Sequence, residues 1–269
     1  MTKLASGQVA IVTGAASGIG FALAARFAAR GLHVVLTDID AGRLDDAVLR
    51  LSKTGATAIG VVADVANREA VHSLREQVLD RFGTVDVLCN NAGLLNGVEP
   101  VWKIDSNRWR RLFEVNYWGV VYAIQEFVPL FIERGSGHVV NTASMSGLST
   151  VPGCADYGSS KHALMSLSET LRADLDLAGA TSIGVTVLCS SLVRTEMGER
   201  ALRLFNPSAG ERESVGSGPN LANMLTPEAL AEAAMQGIEQ NRLHVTPTPG
   251  SRDRFLKRIQ PILDAWQVI

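Results

Sequence analysis

The amino-acid sequence predicts a doubly wound α/β fold, with a mainly parallel sheet of about seven strands and helices on both faces. Two observations predict it. Short apolar runs rich in β-branched residues alternate with longer segments of helical periodicity, as in βαβ units. The runs are almost unbroken in their apolar character, as in Val-Ala-Ile-Val at residues 9–12. Unbroken apolar runs are typical of strands that are covered on both faces.

Six strands can be placed from these runs, each followed by a candidate helix or loop. The strands are expected, in chain order, at Val9–Thr13, Val34–Thr37, Ile59–Ala63, Val85–Cys89, His138–Thr142 and Gly184–Cys189. Apolar residues at helical spacing predict helices at Ile19–Arg30, Leu44–Leu51, Val71–Arg81, Val115–Ile132 and from about Tyr157 to Leu177.

The segment from about Arg194 to Asn220 is the one long stretch without a periodic pattern. A loop of this length inside a compact domain is usually functional, so we expect a substrate lid inserted into a single domain that spans residues 1–269. After it, Thr226 followed by Pro227 is typical of a helix start and predicts a helix to about Gln240.

Composition excludes several classes of protein. Of the 269 residues, 46% are hydrophobic and 19% charged, enough apolar side chains for a large core. The net charge of −2 and the scattered basic residues argue against nucleic acid as a partner. The most apolar stretch, Val115–Ile132, contains Asn116, Gln125 and Glu126, which argues against a membrane span. Residues 1–8 lack the pattern of a signal peptide, so we expect a cytoplasmic protein.

Three cysteines lie far apart in the sequence, at Cys89, Cys154 and Cys189. Their spacing matches neither a disulfide framework nor a metal site. We expect reduced, mostly buried thiols and no bound metal. Cys154, three residues before Tyr157, is also a candidate to line the reactive site.

A glycine-rich turn, Thr-Gly-Ala-Ala-Ser-Gly-Ile-Gly at residues 13–20, joins the first strand to the first helix. Glycines there let a phosphate approach the backbone amides at a helix N-terminus. The spacing differs from the commoner GxGxxG, so a purely structural turn remains an alternative. The turn predicts dinucleotide contacts from Gly14, Ser17, Gly18, Ile19 and Gly20.

Asp38 ends the second strand, 24 residues after Gly14. A carboxylate there can accept hydrogen bonds from the adenosine ribose and would repel a 2′-phosphate, which favours NAD over NADP. Capping of the next helix is the alternative role, although Asp40 is better placed for it.

Two further loops follow strand ends and are expected at the same cleft, since ligands bind beyond the carboxyl ends of parallel strands. Asp64 and Val65 could meet the adenine, and the small residues of Asn91-Ala92-Gly93 would admit the nicotinamide ribose. Ordinary turn chemistry would explain either loop alone.

Tyr157 and Lys161 are four residues apart and therefore share a helix face. A phenol with a pKa of about 10 is a poor base at neutral pH, and a neighbouring ammonium would lower that pKa. The pair predicts a general base for alcohol oxidation and a general acid for ketone reduction. The alternative is an amphipathic helix with a solvated lysine. His162 points about 100° away on the helix, and we expect it to be a packing residue.

Together with Asn116 and Ser144, these motifs resemble the short-chain dehydrogenase/reductase family, in the family's order from Val9 to about Thr195. The resemblance implies a Rossmann-type fold. It implies that Ser144 hydrogen-bonds the reacting oxygen and that Asn116 holds a water linking Lys161 to solvent. It further implies that Lys161 binds the nicotinamide ribose, that Thr195 contacts the carboxamide, and that Val193 belongs to the same site.

The resemblance predicts NAD-dependent hydride transfer between the cofactor and a secondary alcohol or ketone, with Tyr157 as general acid and base. The alternatives are an inactive dinucleotide-binding sensor or scaffold, an NADP-linked carbonyl reductase, and an NAD-using epimerase or dehydratase. Relatives commonly form tetramers through helices that correspond to about Asp105–Glu133 and Tyr157–Leu177. A homo-oligomer, tetramer or dimer, is therefore expected.

The resemblance also places the substrate above the nicotinamide, against mainly apolar residues. These are Leu94, Leu95, Met145, Val151, Cys154, Met197, Leu202 and Phe205. They predict a bulky, uncharged substrate, steroid-like or aromatic. Recruitment of a carboxylate by Arg194, Arg200 or Arg203 is the alternative. Ser190-Ser191 stands where the family usually has Pro-Gly, which leaves the placement of the nicotinamide and the Thr195 contact open.

Overall fold

A computed structural model describes residues 4–205 and 224–266 of the chain. Within those ranges, seven strands form one parallel sheet in the order β3-β2-β1-β4-β5-β6-β7. The strands are β1 Val9–Thr13, β2 His33–Asp38, β3 Ala58–Val62, β4 Val87–Asn90, β5 Gly137–Thr142, β6 Ile183–Leu188 and β7 His244–Val245. The predicted fold class is confirmed, and the sheet is wholly parallel in the described residues.

Helices cover both faces of this sheet. They are α1 Gly18–Ala29, α2 Ala41–Ser52, α3 Arg68–Phe82, α4 Ser106–Phe113, α5 Gly119–Arg134, α6 Ala155–Leu177, α7 Glu196–Phe205, α8 Pro227–Glu239 and α9 Ser251–Asp264. Alternate residues of β1 pack on opposite faces: Ala10 and Val12 pack with α1 and α8, and Val9 and Ile11 with α3 and α5. In the described parts of the chain no helix is both long and apolar enough to cross a membrane.

Helix α7 corrects the expectation of an irregular stretch from Arg194. Thr195 precedes it, and its hydroxyl accepts a hydrogen bond from the amide of Gly198 at 3.0 Å. The glycine lowers the local helical signal, but the structure requires it because a Cβ there would lie 1.9 Å from the carbonyl oxygen of Val193. The rest of the predicted lid, residues 206–220, lies outside the described residues.

The predicted helix over Val115–Ile132 is interrupted. A π-helical turn, Glu114–Trp118, separates α4 from α5 and contains the buried Asn116. Single π-helical turns are frequent at functional sites. Helix α9 was not predicted, whereas α8 and its Thr226 cap were.

The order of the strands places a crevice beyond their carboxyl ends. Chain connections run outward from β1 in one direction to β2 and β3, and in the other from β4 to β7. A parallel sheet binds ligands at such a switch point. Thr13, Asp38, Asn90 and Thr142 end four of the strands at this edge.

Candidate active site

A cleft of about 1160 Å³ lies at this edge and is lined by the loops that follow the strands. Sites for one small molecule usually measure about 300–1000 Å³. The cleft is therefore large enough for two ligands side by side.

The glycine-rich turn forms one wall, and its glycines are required by close packing. Gly14 has φ +62°, and a Cβ on it would lie 2.8 Å from the Cα of Ala92. Gly18 has φ +54° and lies against the methyl group of Thr195, where a Cβ would lie at 3.0 Å. Such glycines leave backbone amides open to a phosphate. Gly14, Ser17, Gly18 and Ile19 line the cleft, whereas Gly20 is buried beneath the turn.

The buried Thr13 holds the turn to the loop after β4. Its hydroxyl accepts hydrogen bonds from the amides of Asn91, at 2.9 Å, and Ala92, at 3.0 Å. The side-chain amide of Asn91 donates to the Thr13 carbonyl at 3.0 Å. Asn91, Ala92 and Gly93 thereby line the cleft. No role was predicted for Thr13, although a threonine at the end of a buried strand was a visible signal.

Asp38 is half-buried and lines the cleft next to the glycine turn. Its carboxylate accepts hydrogen bonds from the amides of Ala16, at 3.1 Å, and Asp40, at 3.2 Å. Asp40 caps α2 by accepting from the amide of Arg43 at 3.0 Å. The helix-capping alternative for Asp38 is therefore wrong, because Asp40 fills that position.

Asp64 and Val65 line the cleft beyond β3. Asp64 forms an ion pair with Arg111 at 2.9 Å, a partner that was not predicted because it lies on α4, 47 residues away. Val65 packs on the backbone of Gly119, where a Cβ would lie 2.9 Å from the valine side chain.

Lys161 is buried, 4% exposed, at the floor of the cleft. Its ammonium donates to the carbonyl of Thr142 at 2.8 Å and lies 5.8 Å from the centre of the Tyr157 ring. Burial lowers the pKa of Lys161 to about 8. The solvated-lysine alternative is therefore wrong.

Tyr157 is half-buried and faces the same cleft. Burial raises the pKa of its phenol, and a side-chain hydrogen bond with Ser144 opposes that rise. The expected net lowering by Lys161 is not found. The reason is that removing a phenolate from water outweighs the favourable contacts around it.

Asn116 lies beneath the cleft and is fully buried. Its side chain accepts from the amide of Leu94 at 2.7 Å and donates to the Leu94 carbonyl at 3.0 Å and to the hydroxyl of Ser160 at 3.2 Å. A Cβ on Gly93 would lie 3.3 Å from the Asn116 oxygen and 3.7 Å from the Lys161 nitrogen. Asn116, Gly93 and Lys161 therefore meet at one point.

Comparison with known proteins agrees with this geometry. The sequence model of the short chain dehydrogenase family matches residues 8–203. The chain belongs to this family. It is similar to 1-deoxy-11β-hydroxypentalenate dehydrogenase of Streptomyces arenae, with 45% identity over 196 residues, which are 71% of this chain and 69% of the relative. It is also similar to the C alpha-dehydrogenase of Sphingobium sp., with 33% identity over 266 residues, 96% of this chain and 86% of the relative.

A solved short chain dehydrogenase from Burkholderia phymatum, in complex with NAD, has a TM-score of 0.87 and 33% identity, covering 99% of this chain and 98% of that one. A variant of actinorhodin polyketide ketoreductase, solved with NADPH, has a TM-score of 0.82 and 28% identity, covering 93% and 99%. As a member of the short chain dehydrogenase family, the protein is an oxidoreductase.

The loop after β6 departs from the family pattern at Ser190-Ser191. The carbonyl of Ser190 accepts from the amide of Met145 at 2.9 Å. The amide of Ser191 donates to the hydroxyl of Thr248 at 3.1 Å, and Arg254 donates to the Ser191 hydroxyl. Neither serine has a positive φ. Polar contacts to the C-terminal segment thus hold this loop of the short chain dehydrogenase in place.

Val193 and Thr195 close the cleft over the glycine turn. Val193 forms a parallel bridge with Leu225, and Thr195 contacts Gly18 as described above. Thr195 both caps α7 and lines the cleft. Its contact with the nicotinamide carboxamide stays a prediction.

Seven of the eight residues predicted for the substrate line the cleft: Leu94, Leu95, Met145, Val151, Cys154, Met197 and Phe205. Leu202, on α7, is buried and is not among the lining residues described. Helix α7 contacts two other walls of the cleft, α2 and the loop after β4. Glu196 pairs with Arg43 of α2 at 3.0 Å, and Arg200 donates to the carbonyl of Leu95.

A buried ion pair fixes the first turn of α6. Asp156, 1% exposed, pairs with Arg108 at 3.1 Å and accepts from the amide of Tyr157 at 2.8 Å. Arg108 also pairs with Glu99 at 2.5 Å. This network joins α4 and the loop after β4 to the residue that precedes Tyr157. Sequence patterns gave no signal for it.

His162, Cys89 and Cys189 are not among the residues that line the described cleft, whereas Cys154 is. The ring nitrogen Nδ1 of His162 donates to the carbonyl of Gly158 in its own helix at 2.9 Å. Cys89 and Cys189 are buried free thiols, as is Cys154. Within residues 4–205 and 224–266, no three histidine, cysteine or carboxylate side chains are grouped to hold a metal.

Proposed function

We propose that the protein is an NAD(H)-dependent dehydrogenase of bulky, largely apolar secondary alcohols and the corresponding ketones. One observation carries the proposal. Tyr157, hydrogen-bonded to Ser144 and above the buried Lys161, faces a cleft with a glycine turn at one end and an apolar wall at the other. An inactive sensor would have no need for a phenol, a hydroxyl and an ammonium converging on the space between two binding regions.

In this mechanism Tyr157 exchanges a proton with the substrate oxygen. For alcohol oxidation its phenolate takes the hydroxyl proton, and for ketone reduction its phenol returns one. The Ser144 hydroxyl donates a hydrogen bond to the same substrate oxygen and stabilises the charge that develops there. A bound dinucleotide supplies the acceptor or donor of the hydride, and its oxidised form adds positive charge near the phenol.

Lys161 stabilises the phenolate through its charge and would bind the nicotinamide ribose. Because burial lowers the pKa of Lys161 to about 8, its ammonium form persists at neutral pH. Asn116 holds the Leu94 backbone beside Lys161, and we assign it the water-mediated relay of protons to solvent. These roles rest on the family pattern and on the contacts described.

Asp38 supports the choice of NAD. Its carboxylate lines the cleft at the end of β2, where it would accept the adenosine ribose hydroxyls and repel a 2′-phosphate. Arg43, the basic residue nearest in sequence that lines the cleft, is paired with Glu196 and so is less available to a phosphate. The remaining cofactor contacts are proposed for Gly14, Ser17, Gly18, Ile19, Gly20, Asp64, Val65, Asn91, Ala92, Gly93, Val193 and Thr195.

The apolar wall supports a bulky substrate, steroid-like or aromatic, with burial of its skeleton as the main source of affinity. A homo-oligomer, tetramer or dimer, is proposed through α4, α5 and α6. Trp118, in the π-helical turn between α4 and α5, is 46% exposed. Burial of three free thiols supports a reducing, cytoplasmic location. The proposal also holds that residues 1–269 form a single domain.

The proposal is tested with a panel of steroid, aryl and aliphatic alcohols and ketones, each with NAD(H) and NADP(H), by following the absorbance of reduced cofactor. We expect turnover with bulky substrates and a loss in kcat of about 10²–10⁴-fold in Tyr157→Phe, with cofactor binding retained. Tyr122→Phe, on α5 and outside the cleft, is the matched control. Dinucleotide binding without turnover of any substrate would support the sensor, and full activity of Tyr157→Phe would refute the mechanism.

A further inference from the structure

The substrate end of the cleft contains an arginine that the proposed function does not use. Arg254, in the first turns of α9, lines the cleft together with Thr248, Pro249 and Gly250. Its guanidinium donates to the hydroxyl of Ser191. The position was not predicted, because Arg254 lies 63 residues from Ser191 in sequence.

Hydrogen bonds place this arginine near the reacting groups. Ser190, next to Ser191, accepts from the amide of Met145 at 2.9 Å, and Met145 directly follows Ser144. Ser144 is therefore connected to the guanidinium of Arg254 through one backbone hydrogen bond and one side-chain hydrogen bond. Ser144 and Arg254 also line the same cleft, so one substrate could contact both.

The charges along the cleft are divided between its two ends. The carboxylates that line the described cleft are Asp38, Asp40, Asp64 and Glu196. The first three follow β2 or β3, and Glu196 pairs with Arg43 of α2. These acidic groups are therefore gathered at the adenosine side. The Ser190-Ser191 side has cationic side chains without a lining carboxylate in the described residues.

Arg254 differs from the other arginines of the cleft. Arg43 and Arg111 have carboxylate partners, and Arg200 donates to the carbonyl of Leu95. In residues 4–205 and 224–266, the polar contact of Arg254 is with the neutral hydroxyl of Ser191. A guanidinium has five N–H donors in a planar fork, so most of its donors remain for a ligand. That fork matches a carboxylate in two parallel hydrogen bonds.

We propose that Arg254 and Ser191 form a carboxylate-binding subsite. The substrate would then be a secondary alcohol or ketone whose apolar skeleton carries a carboxylate remote from the reacting carbon. This rests on the proposed function and replaces the expectation of an uncharged substrate. It also explains the use of serine rather than proline and glycine after β6, since the Ser191 hydroxyl positions the guanidinium.

The test compares keto acids with their methyl esters on the same alicyclic or aryl skeleton. We expect the wild-type protein to have a higher kcat/KM for the acid, mainly through a lower KM. Arg254→Gln should reduce the acid-to-ester ratio about tenfold, because a charge-assisted hydrogen bond is lost from an exposed site. Arg254→Lys should give an intermediate ratio, because a lysine keeps the charge without the fork.

Arg252→Gln is the matched control. It removes the same charge from the same helix, and Arg252 is exposed and does not line the described cleft. We expect it to keep the wild-type ratio. An acid-to-ester ratio near one in the wild-type protein would overturn the subsite. Equal losses of kcat/KM for acid and ester in Arg254→Gln would also overturn it, because a purely structural role of Arg254 would affect both substrates equally.

A binding measurement separates this inference from the proposed function. The thermal midpoint of the protein with NAD is measured with saturated alicyclic carboxylates and with the matching amides. Greater stabilisation by the carboxylates, abolished in Arg254→Gln, supports the subsite even if no substrate is turned over. Equal shifts with both ligands would overturn it. Turnover of esters but not acids would leave the dehydrogenase proposal standing and refute the subsite.

Discussion

The ammonium nitrogen of Lys161 lies 5.8 Å from the centre of the Tyr157 ring and donates to the carbonyl of Thr142 at 2.8 Å. The lysine is thus held by the end of β5 and not by the phenol oxygen. Its effect on Tyr157 is that of a buried charge at a distance. A charge buried without a carboxylate partner also destabilises the fold, which makes its role separable by experiment.

Lys161→Met should abolish activity and raise stability at pH 7 by about 1–3 kcal/mol, because a buried ammonium is replaced by an apolar side chain of similar length. Burial lowers the Lys161 pKa from 10.5 to about 8, so the unfolded chain holds more protons between those pH values. Wild-type stability therefore rises with pH across that window, and the advantage of the variant shrinks. Urea unfolding at pH 7, 8, 9 and 10 measures the difference in the free energy of unfolding between the two proteins. A difference that stays constant with pH would contradict the lowered pKa of Lys161.

Asp38→Asn should lower the preference for NAD over NADP by roughly tenfold or more, because it removes the charge that repels a 2′-phosphate. The ratio of kcat/KM for NAD to kcat/KM for NADP measures this preference. Asp46→Asn is the control: it removes the same charge from an exposed position of α2 that does not line the described cleft, so the ratio should not change. An unchanged ratio in Asp38→Asn would show that another group selects the cofactor.

Arg108→Leu should reduce stability by about 3 kcal/mol, because it leaves the carboxylate of Asp156 buried without its partner. Adding Asp156→Asn should recover part of that loss. Glu196→Gln, in a pair whose side chains are 50% and 78% exposed, should cost less than 1 kcal/mol. Chemical denaturation of the four proteins measures these differences. A double variant no more stable than Arg108→Leu would argue against the unpaired charge as the cause.

The buried His138 should make the stability of the fold sensitive to acid. Burial lowers its pKa from 6.5 to about 3, so the unfolded chain takes up a proton that the folded chain does not. Stability should fall by about 1.4 kcal/mol for each pH unit below 6.5, until about pH 3. His138→Gln should flatten this slope, whatever its effect on absolute stability. His244→Gln, at an exposed site, should keep the wild-type slope. Equal slopes in all three proteins would contradict the prediction.

Local sequence patterns are sufficient to predict the parts of the protein that depend on short, contiguous segments. Alternation of apolar runs with helical periods predicted the sheet, because a buried parallel strand and an amphipathic helix each have a fixed repeat. The glycine turn and Asp38 were found for the same reason, since the turn and the strand end that carry them are short and contiguous. Helix α7 was missed because Gly198 weakens its local helical pattern. A glycine is required there because the residue lies against the carbonyl oxygen of Val193.

Contacts between residues that are distant in sequence depend on how the helices and strands pack. The pairing of Arg108 with Asp156 joins residues 48 positions apart, and that of Arg254 with Ser191 joins residues 63 apart. The rise of the Tyr157 pKa and the burial of Leu202 are also invisible locally, because desolvation depends on every element packed around a side chain. Local repeats specify which helices and strands form. The packing of those elements determines the pKa values, the ion pairs and the shape of the cleft.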